Sequence, residues 1–209
     1  DGDRQFIQAR QVRIKKSKKR AHYKLPVFDP DEIASAQRHI KTAAEVTRHK
    51  KAAEVTAKAF QQVYAQVRPG LNERDVTSLL TGAFLAGGAE MPAYECIVAG
   101  GANACVLHYV NNDQPLKDGD LLLIDAGAQF DYYACDVTRT FPVGRKFSPP
   151  QRTLYDLVYS AQRKSLEACK PGSSLEQVHE IAVDTLCQGM LDLGLLQGSM
   201  EQIKDQETY

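Results

Sequence analysis

The sequence predicts an α+β domain in which helices cover an antiparallel sheet. Segments with clear helix caps come early and late in the chain, and four short segments rich in β-branched and aromatic residues lie between them. Consecutive strands without intervening helices favour antiparallel pairing, with helices on one face of the sheet. A chain of 209 residues can bury a substantial core. We therefore expect one sheet of about four strands.

Four helix starts are indicated by their capping residues. At each start, a side chain that can cap the helix is followed three residues later by an acidic or amide residue that can complete a capping box. The predicted helices end at Pro-Gly, Gly-Gly or a single Gly. With N-caps at Asp29, Asn72, Ser148 and Ser174, the predicted helices are 30–68, 73–87, 149–169 and 174–193.

The central strands are predicted from short runs with strand-like composition. They read AYECIVAG (93–100), ACVLHYV (104–110), DLLLIDAGAQF (120–130) and YYACDVTRTFPV (132–143). The last two are expected to form a hairpin around Phe130 and Asp131. This register places Asp125 directly opposite Asp136, with Cβ atoms ~5 Å apart on one face of the sheet.

Two carboxylates in this position repel each other and need compensation. Like charges placed opposite each other destabilise a sheet. Arg139 is near Asp136 in sequence, but its odd offset directs it to the other face. A hard divalent cation suits two carboxylates well, and two cations can share them and activate one water. In the alternative reading, the register is shifted by one residue and one aspartate faces solvent.

The charge of the chain is zero overall but concentrated at its start. Residues 1–24 hold nine Lys and Arg against two Asp, including the run KKSKKR at 15–20. Such a run binds nucleic acid or anionic surfaces in some proteins. No aromatic platform or base-reading helix accompanies it, which favours a solvated segment. We interpret 1–28 as a basic linker or the end of a preceding domain.

The remaining composition indicates a cytoplasmic protein. No stretch approaches the roughly 20 apolar residues of a membrane helix, and the start lacks the apolar core of a signal peptide. The five cysteines form no CxxC pair, as expected for reduced thiols. Because the chain does not begin with Met, we expect it to be a fragment of a longer protein.

The segment IDAGAQFDYYACDVTRTFPVG (124–144) closely resembles the metal-binding hairpin of the pita-bread metallopeptidases. Within that family it is most similar to the aminopeptidase P and prolidase subgroup. MPAYECIVAGGANACVLHYVNND (91–113) and FSPPQRTLYDLV (147–158) resemble the same group's flanking segments. The resemblance covers roughly 51–209. It implies that 29–209 is the N-terminal half of a pita-bread (creatinase/aminopeptidase-like) catalytic domain.

The resemblance also implies roles for individual residues. Asp125 and Asp136 match two ligands of a dinuclear metal centre, with manganese preferred and cobalt or zinc as alternatives. His108 matches the histidine that lines the active site and binds substrate or stabilises the tetrahedral intermediate. Thr138 shares a face with Asp136 and could orient a ligand. The implied activity is release of an N-terminal residue from peptides with proline in second position.

The family completes its metal site with a His and two Glu that this sequence does not provide. The 209 residues alone are therefore expected to be inactive, and to expose an apolar surface that promotes self-association or a homo-oligomer. Two alternatives stay open. One is a non-catalytic pita-bread module that binds a peptide or protein. The other is a nucleic-acid-binding protein whose hairpin aspartates are structural.

Overall fold

The computed structural model describes residues 29–205 and has the predicted α+β order. The helices are α1 (Asp31–His39), α2 (Ala43–Gln66), α3 (Glu73–Ala86), α4 (Pro149–Ala168), α5 (Leu175–Asp192) and α6 (Met200–Asp205). The strands are β1 (Met91–Pro92), β2 (Ile97–Gly100), β3 (Leu121–Ala126), β4 (Ala128–Phe130), β5 (Tyr133–Ala134) and β6 (Val137–Pro142). A 3₁₀ helix spans Gly101–Cys105. In the described part of the chain, no helix is both long enough and apolar enough to cross a membrane.

The contacts within the chain divide it into two compact units, and the boundary lies between Lys50 and Lys51, inside α2. The first described unit consists of α1 and the start of α2. The second contains the rest of α2, both sheets and every later helix. The predicted boundary after residue 28 stays a prediction. The basic run at 15–20 lies outside the described residues.

Three of the four predicted helix starts are confirmed as capping boxes, at Asn72, Ser148 and Ser174. The predicted single helix over 30–68 is wrong, because it breaks into α1 and α2. Thr42 starts the second helix, with its backbone N–H and hydroxyl both donating to the Glu45 carboxylate, at 2.6 and 2.8 Å. The sequence TAAE is itself a capping-box pattern. An Ala-rich helical composition on both sides obscured it.

The strands form two three-stranded antiparallel sheets rather than one sheet of about four strands. Their orders are β1-β4-β5 and β2-β3-β6. The predicted strand ACVLHYV is wrong: this segment forms the end of the 3₁₀ helix and a turn. His108 in that turn has a φ of 53°, which is incompatible with a strand.

Gly127 separates the two sheets. A Cβ at this position would overlap the carbonyl oxygen of Cys135, so only glycine allows the two backbones to approach so closely. The hairpin turn uses Asp131 and Tyr132, with φ values of 47° and 66°, as a two-residue primed turn requires. The turn is one residue later than predicted, and Asp125 consequently pairs with Thr138 rather than Asp136. The cross-strand partner of each residue is thus two positions further along the chain than predicted, and because side chains alternate between faces, a shift of two keeps each one on its predicted face.

The main core lies between one face of the β2-β3-β6 sheet and helices α2 and α3. Alternate residues of β3 are buried there, while Leu121, Leu123 and Asp125 are half-buried on the other face. The buried members include Val55, Ala59, Val76, Leu80, Phe84, Val98, Leu122, Ile124 and Ala126. A smaller core joins α5 and α6. The sheet is thus anchored by its apolar face, and the aspartate-bearing face is only partly covered.

Helix α4 lines an apolar groove instead of a closed core. The groove has a volume of about 550 Å³ and extends from Leu121 and Thr138 to the α4 side chains. Leu154, Val158 and Tyr159 are 43%, 57% and 51% exposed. Exposed apolar surface of this kind indicates an interaction site or an aggregation liability.

We expect the 209-residue chain, expressed alone, to self-associate through this groove. Light scattering should detect dimers or larger species. The double variant Leu154→Glu, Val158→Lys should shift the population to monomer, because a charge in the contact must be desolvated. Val46→Lys is the matched control, since Val46 is 39% exposed and lies in the other unit. A monodisperse monomer of the unmodified chain would contradict the prediction.

Candidate metal and active site

The two predicted aspartates meet at a single tyrosine hydroxyl. Asp125 lies on β3, and Asp136 lies just before β6. The hydroxyl of Tyr94 is 2.5 Å from Asp125 Oδ1 and 2.9 Å from Asp136 Oδ1. Both carboxylates therefore lie within one small region of the half-buried sheet face, although they are not directly opposite each other.

Tyr94 is the site residue that the sequence analysis missed. It lies in the link between β1 and β2, where neither strand nor helix periodicity predicts the direction of a side chain. Burial raises the pKa of the Tyr94 hydroxyl, and its bonds to the two carboxylates raise it further. Tyr94 is therefore a neutral phenol with one proton, which can be donated to only one carboxylate at a time.

The two carboxylates are suited to a hard cation but do not form a complete site. Their oxygens are the ligand type that manganese, magnesium and calcium prefer, and they converge with one shared proton between them. Among residues 29–205, no group of three or more His, Cys, Asp or Glu is placed to hold a metal ion. The remaining ligands would have to come from residues outside this range or from water.

The charge of Asp125 acts on the buried thiol of Cys96. Burial raises the pKa of Cys96 to about 11, and the charge of Asp125 contributes to the rise. Cys96 is therefore a neutral thiol near pH 7 when no metal ion is bound beside it. All five cysteines are free thiols in the structure.

The structure does not connect His108 to the aspartates by a direct contact. His108 is exposed in the turn that follows the 3₁₀ helix, and in the described part of the chain no hydrogen bond links it to Asp125 or Asp136. Thr138, by contrast, is the cross-strand partner of Asp125. Arg139 pairs with Ile124 and lies on the opposite face, as its position predicted.

Tyr109, the neighbour of His108, is anchored in the protein by Glu73. Its hydroxyl donates to Glu73 Oε2 at 2.8 Å. Burial raises the pKa of Tyr109 to about 12, and the bond to Glu73 adds to this. At neutral pH the hydroxyl is thus a stable donor.

This raised pKa predicts a loss of stability at alkaline pH. Between the unfolded value near 10 and the folded value near 12, the unfolded state binds fewer protons at Tyr109. The free energy of unfolding therefore falls as pH rises through this window. In denaturant titrations from pH 9 to pH 12, the difference in the free energy of unfolding between the unmodified protein and Tyr109→Phe should become smaller as the pH rises. A constant difference across that range would contradict the assignment.

The comparisons with known proteins identify the class. Residues 47–203 match metallopeptidase family M24, which is most of the chain, and the chain belongs to this family. It corresponds to roughly the N-terminal part of the aminopeptidase P catalytic domain, and its fold is the pita-bread fold of that group.

Several relatives support this assignment in sequence and in structure. The chain is 42% identical to a Haemophilus influenzae Xaa-Pro aminopeptidase over 183 residues, which is 88% of this chain and 43% of that protein. An Escherichia coli Xaa-Pro aminopeptidase is 36% identical, with 88% and 42% covered. The Pseudomonas aeruginosa aminopeptidase PepP structure superimposes with a TM-score of 0.88 at 40% identity, covering 100% of this chain and 48% of that chain. The chain thus spans less than half the length of these relatives.

Proposed function

We propose that this chain is part of a metal-dependent Xaa-Pro aminopeptidase, which releases an N-terminal residue that precedes proline. The observation that carries the proposal is the convergence of Asp125 and Asp136 on the Tyr94 hydroxyl, on a hairpin of family M24. Relatives named Xaa-Pro aminopeptidase at 42% and 36% identity supply the substrate class. The proline preference is transferred from them.

We further propose that Asp125 and Asp136 hold two divalent metal ions, with manganese preferred and cobalt or zinc as alternatives. Carboxylate oxygens suit manganese well, and zinc has been substituted into an E. coli aminopeptidase P whose structure was solved with product. When bound, such ions polarise a carbonyl and lower the pKa of water. The further ligands belong to residues beyond those of this chain.

The residues around the aspartates have distinct proposed roles. Tyr94 orients one carboxylate through its hydrogen bond, and Thr138 stands beside Asp125 as a second hydroxyl that can do so. His108 is the proposed catalytic residue, which donates a hydrogen bond to the substrate carbonyl oxygen as negative charge develops there. Its exposed position in a turn leaves the ring accessible to a bound peptide.

The test is an assay of a longer protein that contains this chain, supplied with manganese. A peptide with proline in second position should be cleaved after its first residue, and the matched peptide with alanine there should be cleaved far more slowly. Equal rates would overturn the proline preference. No cleavage of either peptide, with manganese, cobalt or zinc, would overturn the enzymatic function.

A non-catalytic module that binds a peptide or protein is the second candidate. It is favoured by the lack of a three-residue metal cluster within residues 29–205. A longer protein that binds Xaa-Pro peptides without cleaving them would support it. For either function we propose a cytoplasmic setting, because the five free cysteines suit a reducing compartment. We propose no nucleic-acid partner, and a homo-oligomer is an open alternative for the longer protein.

A further inference from the structure

Glu73 is a fully buried carboxylate outside the pair of aspartates. Its side chain is 0% exposed, although glutamate is almost never buried so completely unless it is paired. Burying a charge costs free energy that only good hydrogen bonds can offset. The proposed reaction does not use Glu73, so its burial needs another explanation.

Four hydrogen bonds compensate the carboxylate, two to each oxygen. Oε1 accepts from the Gly100 backbone N–H at 2.8 Å and from Asn103 Nδ2 at 3.0 Å. Oε2 accepts from the Tyr109 hydroxyl at 2.8 Å and from the Gln114 backbone N–H at 3.0 Å. All four donors belong to one segment, residues 100–114, which carries His108.

This segment has little regular structure to hold it in place. After the 3₁₀ helix of five residues it continues through a turn and an irregular stretch. The Glu73 carboxylate accepts hydrogen bonds from the first residue of the segment, from its 3₁₀ helix, from near its centre and from its last residue. Asn112 fixes the segment to the start of β2 by accepting from Val98 N–H at 2.9 Å and donating to the Cys96 carbonyl at 2.7 Å.

The anchoring of the segment fixes the direction of His108. Tyr109 is 9% exposed and reaches inward to Glu73, while His108 has a left-handed backbone and is exposed. The left-handed conformation is unfavourable for a residue with a Cβ and persists only when its surroundings determine it. The bond between Tyr109 and Glu73, one residue away, is such a determinant.

We propose that Glu73 is the positioning residue of His108: its carboxylate fixes segment 100–114 so that the imidazole faces the substrate. The inference rests on the proposed function, which assigns His108 to the substrate carbonyl. It deepens that function by assigning a role to a residue whose carboxylate, among residues 29–205, forms no hydrogen bond with the aspartates or the imidazole. A chain that needs an ordered histidine in an irregular segment requires an internal support, and Glu73 supplies it.

A carboxylate suits this position better than its isostere. Glutamine offers only one acceptor oxygen, so its NH₂ group would face two of the four donors. The Tyr109 hydroxyl can rotate and accept from that group, but a backbone N–H cannot. Glu73→Gln thus leaves one part-buried backbone N–H, of Gly100 or Gln114, without its acceptor while the side-chain volume is conserved.

The experiment is a double-mutant cycle of Glu73→Gln and His108→Ala in a longer protein that contains this chain. Glu73→Gln should lower kcat for an Xaa-Pro peptide by about 10- to 100-fold, less than the roughly 10²- to 10³-fold cost of removing an oxyanion donor altogether, with unchanged metal content. In the His108→Ala background it should cost little more, because the two residues act through one element. Val76→Ala is the control. Because Val76 is a buried residue of α3, this substitution should lower the stability of the protein and leave kcat unchanged.

Hydrogen exchange gives a readout that does not depend on turnover. In Glu73→Gln, the amides of residues 100–114 should exchange faster, and those of β3 should not. Tyr109→Phe removes one donor and should give a smaller effect in the same direction, which covers the case in which Glu73→Gln fails to fold. Unchanged exchange, unchanged kcat, or losses that multiply in the double variant would overturn the inference. An unmodified protein that cleaves no peptide would overturn the proposed function instead.

Discussion

Asp125→Asn should abolish Xaa-Pro cleavage by a longer protein that contains this chain, even with manganese supplied in excess. The amide keeps the size of the side chain, but it is neutral and a much weaker ligand for a hard cation. Its proposed role is direct ligation. The loss of kcat should therefore exceed the roughly 10- to 100-fold cost of removing an outer partner of a metal ligand.

Two further variants and a metal measurement make this prediction specific. Tyr94→Phe removes only the hydroxyl that bonds both carboxylates, so its loss should be within the 10- to 100-fold range. Asp156→Asn is the matched control, because Asp156 is exposed on α4 and, among the residues that the structure describes, its side chain bonds only to Arg152. Metal content by elemental analysis should fall in Asp125→Asn and stay unchanged in the control. Retained turnover in Asp125→Asn would rule out its role as a ligand.

The hairpin shows which part of the site the sequence could predict. Alternation along one strand depends only on odd and even positions, so the shared face of Asp136 and Thr138 followed from spacing, whereas the face of Asp125 relative to theirs also depends on the register. The register could not be obtained in this way. It depends on which two residues accept positive φ in the turn, and Asp131 and Tyr132 do so without the glycine that would have marked them.

Residues that the sequence analysis missed, or assigned to the wrong secondary structure, belong to irregular segments. Tyr94 lies between two short strands, and His108 lies in a segment whose apolar, β-branched composition predicted a strand. Tertiary hydrogen bonds override that local preference, because Glu73 accepts from the Tyr109 hydroxyl within this segment and from the Gly100 and Gln114 N–H groups on either side of it. Such contacts join residues 27 and 41 positions apart. No local pattern predicts them.

The 209-residue chain alone should not cleave Xaa-Pro peptides at a measurable rate, whatever metal is added. Two carboxylates leave most coordination positions of two cations to water, and such a sparse ligand set binds weakly. Within residues 29–205 there is no further His, Cys, Asp or Glu placed to complete it. No general base is identified among these residues either, so proton transfer from the attacking water lacks a partner.

The decisive measurement compares this chain with a longer protein that includes it, at equal concentration and with equal manganese. The longer protein should cleave the peptide and the 209-residue chain should not. A circular dichroism spectrum of the short chain with the expected helix content is the control, since it separates a folded but incomplete site from an unfolded chain. Clear turnover by the folded short chain would mean that Asp125 and Asp136 suffice with ligands from water alone, or that they are not the centre of the reaction.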